Sequence, residues 1–306
     1  MARRKKGRLI KGVLLVDKPA GYSSNGVLQK VRWLYQAQKA GHTGALDPAA
    51  TGLLPICLGE ATKFTQFLLD ANKRYVTTGV FGIETDTLDA EGNIIARTPV
   101  PSIGEEALQN IISENFVGDI QQIPPMYSAL KRDGKKLYEL AREGKTIDLD
   151  ARPVTIFANQ LVALDSPRFS LDVSCSKGTY IRTLVADIGT KVGCGAHVES
   201  LRRTEHGKFQ LENAITLDAL IELQAFGGQE KLDGLLISID ELLADLPAIT
   251  LGELHSKLFG NGNDVQTEIE PGRVRVYGFD GAFIGVGRVG TTSRLHPERL
   301  ISKQDL

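Results

Sequence analysis

One acid stands out as a group that could do chemistry. Asp47 lies in the stretch HTGALDPAATGLLPICLG, residues 42–59, whose other members are mostly small, apolar or turn-forming. Pro48 disfavours helical backbone at Asp47, so the acid should lie on an extended or turning loop. The nearest cations along the chain are Lys39 and Lys63. An Asp-Pro pair commonly opens a turn, because Asp can hydrogen-bond its own backbone. From spacing alone that is the simpler interpretation, and a chemical role stays open beside it.

The elements around this loop can be read from hydrophobic periodicity. The apolar run Gly12–Asp17 predicts a short buried strand. Ser23 or Ser24 can cap a following helix. The alternating, β-branched stretch Lys73–Ile83 predicts another strand. The apolar face of the helix consists of Val27, Leu28, Val31 and Leu34.

A second group of elements follows after residue 100. Ser102 and Glu105 match a capping box before a helix with apolar residues at 107, 108, 111 and 112. Residues 154–164 and 169–176 should be strands. A helix should start near Tyr180, with apolar residues at 181, 184, 185 and 188. Leu201 lies on another predicted strand that ends at residue 207.

Two segments differ from this pattern. The TDTLDAEG stretch, residues 85–92, looks briefly like a calcium loop, but its acids are wrongly spaced and a hairpin-type turn is favoured. Residues 126–152 are basic, glycine-punctuated and amphipathic, as expected either for a mobile insertion that grips a polyanion or for an ordinary solvated face. Residues 216–245 should be helical. Residues 248–306 should form a small β domain.

Composition limits the class of protein. The chain has 306 residues, of which 42% are hydrophobic and 24% charged, and its formal net charge is -1. These values are typical of a globular protein with a real core, and an anionic partner would have to meet a local basic patch. The tail 1–11 is basic, and it is either solvated or contacts phosphates. With no signal peptide or membrane-length apolar run, and three scattered cysteines, we expect a cytoplasmic protein with free thiols.

Several short motifs resemble nucleotide or metal sites but lack the residues that such sites need. The GVGRVG stretch, residues 285–290, fits GxGxxG, but neither a helix nor a suitably spaced acid follows it. His42 and His197 lack metal-ligand spacing. We therefore expect neither a nucleotide site nor a metal site.

The blocks of this chain, in their order, resemble the TruB family of tRNA pseudouridine synthases. The strongest is GHTGALDPAATGLLPICLGEATKF, residues 41–64, in which Ala45 replaces the arginine that other synthase families place two residues before the acid. The tail resembles a PUA RNA-binding domain. The other blocks are GVLLVDKPAGYSS, KRY at 73–75, TDTLDAEG, IPPMYSALKRDGKKLYEL, CSKGTYIRTL and HVESLRRT.

The resemblance implies an α+β fold: a mixed α/β core around a long, mainly antiparallel central sheet flanked by helices, plus a small C-terminal PUA-like β domain. The expected domains are a basic tail (1–11), a catalytic domain (12–246) with an RNA-gripping insertion near 124–152, and an RNA-binding domain (248–306). The implied reaction converts uridine 55 of the tRNA T loop to pseudouridine by base flipping, without cofactor, metal or energy source. We expect a monomer that binds the tRNA T stem-loop without a membrane or an obligatory protein partner.

The resemblance also implies residue roles. Asp47 matches the nucleophile, and Arg182 matches the arginine that pairs with it. Tyr75 matches the tyrosine that stacks on the flipped base and is the usual candidate for the final proton transfer. Tyr180 and Leu201 match positions that line the pocket. His42 matches a histidine that stacks in the T loop, and the weaker matches for RNA backbone contacts are Lys18, Lys63, Lys131 and Arg132.

Three other functions are alternatives to a pseudouridine synthase. A tRNA folding chaperone would not need the set of Asp47, Tyr75 and Arg182. A synthase of the guide-RNA-directed ribonucleoprotein type would need surfaces for partner proteins. A nucleotide-dependent enzyme would rest on residues 285–290 alone.

Overall fold

The computed structural model describes residues 7–128, 130–132, 134–145 and 147–302. The predicted basic tail lies mostly outside these residues. In the described part, no helix is long and apolar enough to cross a membrane. The strands are β1 Gly12–Lys18, β2 Ala40–His42, β3 Thr51–Leu58, β4 Lys73–Phe81, β5 Ile83–Thr85, β6 Ile94–Arg97, β7 Gly118–Gln122, β8 Lys131–Arg132, β9 Lys135–Lys136, β10 Arg152–Asp165, β11 Arg168–Cys175, β12 Ala196–His206, β13 Phe209–Gln210, β14 Ile215–Thr216, β15 Ala248–Thr250, β16 Val265–Gln266, β17 Gly272–Tyr277, β18 Phe283–Val289 and β19 Arg294–Leu300.

The helices lie on the faces of these sheets or connect them. Two short 3-10 segments, Gly59–Phe64 and Leu211–Asn213, supplement them. The α-helices are α1 Ser24–Leu34, α2 Thr65–Leu69, α3 Glu105–Asn115, α4 Leu137–Arg142, α5 Ile181–Val192, α6 Leu217–Asp233, α7 Ile239–Leu242 and α8 Glu253–Gly260.

A ten-stranded sheet forms the centre of the molecule. Its main order is β14-β1-β3-β12-β4-β11-β10-β7, with β2 on β3 and β13 on β12. Most pairs are antiparallel, and the exceptions are β1 with β14 and β3 with β12. The mixed α/β architecture with a long, mainly antiparallel sheet is therefore confirmed. The parallel β3–β12 pair matters for the site, because it joins the loop that carries Asp47 to the strand that carries Leu201 and Arg203.

Close backbone approach makes one glycine necessary at this β3–β12 pair. Gly52 has φ +103° and is paired with Arg203. A Cβ at Gly52 would lie 2.3 Å from the Arg203 carbonyl oxygen, so any side chain there would push the strands apart. Gly52 thus fixes the distance between the two strands directly below the Asp47 loop.

Helix periodicity was a good guide for α1 and α5. In α1 the predicted face is buried, and the Ser23 hydroxyl accepts a hydrogen bond from the Gly26 amide. In α5 the predicted face is buried too, and Tyr180 is the N-cap residue. The two faces bury different parts of the sheet: α1 packs on β1 and β3, and α5 packs on β4, β11 and β12.

Other predictions were wrong in detail. The proposed capping box does not form, because Gly104 is the N-cap of α3 and Glu105 is already helical. The buried residues of α3 are Leu108 and Ile112, and Ala107 is exposed. The helical segment predicted for 216–245 is two helices, with non-helical backbone at Gly228 inside the first. Residues 285–289 lie in β18 and Gly290 directly follows it, which agrees with rejecting a nucleotide loop there.

The C-terminal part has a sheet and core of its own. Five strands in the order β15-β17-β18-β19-β16 enclose Phe259, Val274, Val276 and Leu295. It also contacts the 3-10 segment Gly59–Phe64: the ring of Phe283 lies 5.9 Å from that of Phe64, centroid to centroid. The predicted division at residue 247 and the RNA-binding role of this part stay predictions.

Candidate active site

The Asp47 loop connects β2 to β3, and its backbone is fixed on both sides of the acid. The Ser24 hydroxyl accepts from the Leu46 amide (2.7 Å) and donates to the Leu46 carbonyl (2.9 Å). The Pro48 carbonyl accepts from the Gly21 amide at 2.9 Å and from the Lys18 ammonium at 3.1 Å. Asp47 is therefore held on a rigid loop, as its Asp-Pro sequence predicts, and the turn and chemical roles are compatible.

Arg182 meets Asp47 from the first turn of α5. Its Nε lies 3.0 Å from Oδ2 of Asp47, and its side chain is only 7% exposed. Nη1 donates to the Thr87 carbonyl at 2.7 Å and pairs with Asp89 at 3.2 Å, while Nη2 donates to the Tyr127 carbonyl at 2.7 Å. The guanidinium thus has partners on every side, which fixes its orientation toward Asp47.

Burial and charge act in opposite directions on Asp47. Burial raises the pKa of Asp47 above its ordinary value, the positive charge of Arg182 lowers it, and the nearby Asp89 carboxylate raises it again. Arg182 is therefore the main group that opposes the effect of burial and favours the ionised form of Asp47, with a smaller contribution from Lys18.

Asp89 is a site residue that the sequence did not reveal. It lies in the β5–β6 turn, where its Oδ1 accepts from the Thr87 hydroxyl at 2.6 Å and from the Glu91 amide at 3.1 Å. Leu88 has φ +62°, an uncommon value for a residue with a side chain. The spacing of acids in residues 85–92 predicts a hairpin-type turn and not a calcium loop. They do form a turn, but one that presents a carbonyl and a carboxylate to Arg182.

A cavity of about 210 Å³ opens over Asp47 and Arg182. Tyr75 on β4, Tyr180 at the start of α5 and Leu201 on β12 all line it, so the structure brings these predicted residues together. Burial raises the pKa values of both tyrosines. The remaining lining residues are Ala45, Leu46, Ser128, Thr179 and Ile181.

The other predicted residues lie outside this cavity. His42 is half-buried on β2, and its Nδ1 has no hydrogen-bond partner among the residues that the structure describes. Burial together with the charge of Arg203 lowers its pKa. Lys63 pairs with Glu60 at 2.5 Å and donates to the Leu300 carbonyl at 3.1 Å, so its contact with RNA stays a prediction. Lys131 and Arg132 are exposed on the β8–β9 hairpin, where a contact with RNA also stays a prediction.

Lys18 contradicts its predicted role. It is completely buried, and its ammonium donates to the carbonyls of Pro19 and Pro48. Burial lowers its pKa to about 8. Lys18 therefore supports the Asp47 loop from below and does not present a charge to an RNA backbone.

Comparison with known proteins decides the family. Residues 32–181 match the TruB family pseudouridylate synthase N-terminal domain, and residues 182–244 match the tRNA pseudouridylate synthase B C-terminal domain. A protein from Stutzerimonas stutzeri (strain A1501), named tRNA pseudouridine synthase B, is 50% identical over 97% of this chain and 97% of its own. This chain belongs to the TruB family. Residues 247–301 match the model described as pseudouridine synthase II TruB, C-terminal.

Further relatives of this TruB-family chain agree. A protein of the same name from Pseudomonas aeruginosa (strain UCBPP-PA14) is 51% identical over 96% of this chain and 97% of its own. Among solved structures, a chain of a Cbf5–Nop10–Gar1 complex is 25% identical with a TM-score of 0.74, covering 96% of this chain and 86% of that one. The similarity extends over both sheets, and thus over the whole frame that positions Asp47 and Arg182.

Proposed function

We propose that this TruB-family chain converts uridine 55 in the T loop of tRNA to pseudouridine. The observation that carries the proposal is the Asp47–Arg182 ion pair at the base of a cavity lined by Tyr75, Tyr180 and Leu201. A carboxylate that is held ionised beside a small, partly aromatic cavity suits a reaction on one extruded base.

The reaction is an isomerisation, so its atoms balance without a co-reactant. The N1–C1′ bond of the uridine breaks, the uracil turns, and a C5–C1′ bond forms. C5 loses its proton, and N1 gains one. Asp47 can attack C1′, attack C6, or assist elimination to a glycal, and each route requires an ionised carboxylate.

The surrounding residues supply binding and proton transfer in this proposal. A base inside a folded loop must be extruded to be reached, and Tyr75 offers the ring on which it stacks. Tyr75, in its phenolate form, takes the C5 proton. His42, which is neutral near pH 7 because its pKa is lowered, stacks in the T loop and keeps the base out. The cations of the β8–β9 hairpin and residues 248–306 grip the tRNA backbone.

Tritium release from tRNA labelled at uridine C5 tests this function. C5 loses its hydrogen only when it becomes the new glycosidic carbon, so we expect release by the wild type and none by Asp47→Asn. Filter binding of the same tRNA should give similar affinities for both proteins. Bound tRNA without release from the wild type would instead support a folding chaperone.

We also propose that the chain works as a monomer without an obligatory protein partner, and in the cytoplasm, where its substrate is made and used. Sedimentation of the protein with and without a T-arm RNA tests the stoichiometry. A complex with one protein chain per RNA is expected.

A further inference from the structure

A second buried arginine lies beneath the site on β12. Arg203 is 1% exposed. Its Nε donates to the Leu53 carbonyl on β3 at 2.7 Å, and its Nη2 donates to the Gly44 carbonyl at 3.1 Å. Gly44 lies three residues before Asp47 and has φ +78°. One side chain therefore ties the start of the Asp47 loop to the strand that follows the loop.

The same guanidinium also meets the Tyr75 side chain. Arg203 and Tyr75 lie directly opposite each other on β12 and β4, so their side chains share one face of the sheet and the guanidinium is close enough to the phenol to act on it. The charged or titratable groups that face Tyr75 are Arg203, Cys175 on β11 and Asp47 on its loop. Burial raises the pKa of Tyr75, and Arg203 opposes that rise by its charge and its hydrogen bond, whereas the other two groups add to it.

Keeping a guanidinium so deeply buried is costly unless its donors are satisfied. Within the described residues Arg203 forms no ion pair, and its recorded partners are carbonyl oxygens and a phenol. The groups that share its surroundings are His42, Lys73, His206 and Cys175. An apolar side chain could fill this volume, so packing alone does not explain why a charged residue is buried here.

We propose that Arg203 is a positioning residue for pseudouridine formation, because it holds the Tyr75 hydroxyl and the Gly44 carbonyl of the Asp47 loop in one fixed frame. The inference rests on the proposed function and deepens it. The group that moves the proton and the loop that carries the nucleophile then keep a constant separation when the tRNA enters.

The charge of Arg203 has a chemical use in the last step. The Tyr75 phenolate oxygen accepts the proton as the C5–H bond breaks. The electron pair of that bond forms the C5=C6 double bond, and the charge that moves to N1 is neutralised by a proton from solvent. A guanidinium beside the phenol stabilises the phenolate that starts this step.

The test compares Arg203→Met and Arg203→Lys with the wild type in single-turnover reactions on bound tRNA. We expect Arg203→Met to slow the chemical step by on the order of 10-fold or more at neutral pH, since a proton-transfer group is worth about 100-fold or more when fully lost. The rate of Arg203→Met should recover as pH rises. Without the guanidinium the Tyr75 pKa is higher than in the wild type, so the phenolate forms only at higher pH. Arg203→Lys keeps the charge but loses the planar fork, so its rate should fall less and its pH profile should shift little.

The titration of Tyr75 in the free protein gives a readout that a merely structural role would not move. The difference in phenolate absorbance between a protein and its Tyr75→Phe partner isolates this one tyrosine. Lys73, whose pKa is lowered to about 8, is present in both proteins, so the effect of its titration cancels in the difference. The Tyr75 midpoint should move to higher pH in Arg203→Met. This measurement needs no substrate, so a failed wild-type tritium assay would refute the function and leave the Arg203–Tyr75 coupling testable.

The matched control is the adjacent arginine. Arg202 is 43% exposed and pairs with Asp17 at 2.7 Å on the surface. Arg202→Met should change neither the Tyr75 midpoint nor the pH profile. The proposal is overturned if Arg203→Met leaves both unchanged. If Arg203→Met fails to fold, the milder Arg203→Lys in the Tyr75→Phe background decides: an effect much smaller than in the wild type supports coupling, and an equal effect refutes it.

Discussion

Arg182 and Arg203 are both almost fully buried at the same site, yet they contact opposite kinds of partner. Arg182 lies on the helix side and meets two carboxylates, Asp47 and Asp89, in addition to two carbonyls. Arg203 lies on the sheet side and meets the carbonyls of Leu53 and Gly44 together with Tyr75. The first arginine has its charge neutralised, whereas the second keeps a positive charge beneath the cavity.

The difference indicates a division of labour. An ion pair fixes the protonation state and direction of the carboxylate it contains, so Arg182 prepares Asp47. A guanidinium bonded to carbonyls fixes backbone and leaves its charge available to a neighbouring phenol, so Arg203 prepares Tyr75. In the proposed reaction, glycosidic bond cleavage would depend on Arg182 and proton removal on Arg203.

The largest loss of activity is expected from substitution of Asp47, whose carboxylate pairs with Arg182 and whose loop is bound by Arg203. Asp47→Asn keeps the shape of the side chain but removes the negative charge, so turnover should become undetectable while tRNA affinity stays close to that of the wild type. The measurement is tritium release beside filter binding. Multiple-turnover product from this variant would show that the carboxylate is not the nucleophile.

Arg182 variants should disrupt the ion pair between helix α5 and the Asp47 loop. Arg182→Met leaves Asp47 and Asp89 without their cation and should nearly abolish activity. Because the Asp47 side chain is 46% exposed, the loss of stability should be smaller than the roughly 3–5 kcal/mol of a fully buried pair. In Arg182→Lys the charge remains but the fork is lost. The acid limb of its pH–rate profile should move to higher pH. Burial still raises the Asp47 pKa in this variant, whereas the contact with residue 182 that lowers it is weaker.

Urea denaturation and single-turnover rates across acidic pH measure these two outcomes. The ionised form of Asp47 is present above its folded-state pKa and is lost as pH falls through it, which fixes the sign of the shift. Wild-type rates and stability in both variants would remove the ion pair from the mechanism.

Asp89→Asn should sharpen the comparison with a smaller loss. It removes one negative charge that raises the Asp47 pKa, and it leaves a single oxygen acceptor where Asp89 uses one oxygen for the turn and the other for Arg182. We expect a rate reduced by on the order of 10-fold through a less constrained Arg182. The acid limb should move to lower pH, opposite to Arg182→Lys. A shift in the same direction in both variants would contradict the proposed network.

The sequence predicted the local elements of this site better than its long-range partners. The burial pattern of α1 and α5 follows from helical spacing, so their inner faces were correct. The position of Asp47 on a loop follows from Pro48. The capping box at Ser102 failed because Gly104 offers the extended backbone that an N-cap needs, and the chain enters α3 two residues later than that motif indicates.

Arg203 and Asp89 were missed for a physical reason. Each acquires its role through a partner far away in sequence, such as Tyr75 across a strand pair or Arg182 beyond a whole sheet, and the register that joins them is a property of the assembled fold. Lys18 was assigned to the RNA backbone only as one of the weaker matches implied by the family resemblance. Its burial follows from lying in β1 between two neighbouring strands and beneath the Pro48 carbonyl.

Lys18 extends the comparison, because it is bound to carbonyls as Arg203 is but can lose its proton. Burial lowers its pKa from 10.5 to about 8, so below that pH the folded protein bears the full cost of the buried charge. Between about pH 8 and 10.5 the folded state has released the proton that the unfolded state still binds, and the cost disappears as pH rises. The free energy of unfolding of the wild type, relative to Lys18→Met, should therefore increase across this range by on the order of 2–3 kcal/mol.

Urea titrations of both proteins at a series of pH values measure this difference, which cancels the contributions of Cys57 and Tyr35 that also change at high pH. The exposed Lys191 supplies the matched control, because Lys191→Met removes a lysine whose side chain is not buried. A flat difference for Lys18→Met would mean that the Lys18 ammonium is fully compensated by the Pro19 and Pro48 carbonyls. In that case carbonyl contacts alone would suffice to hold a buried charge, and the cost assigned to Arg203 would be correspondingly small.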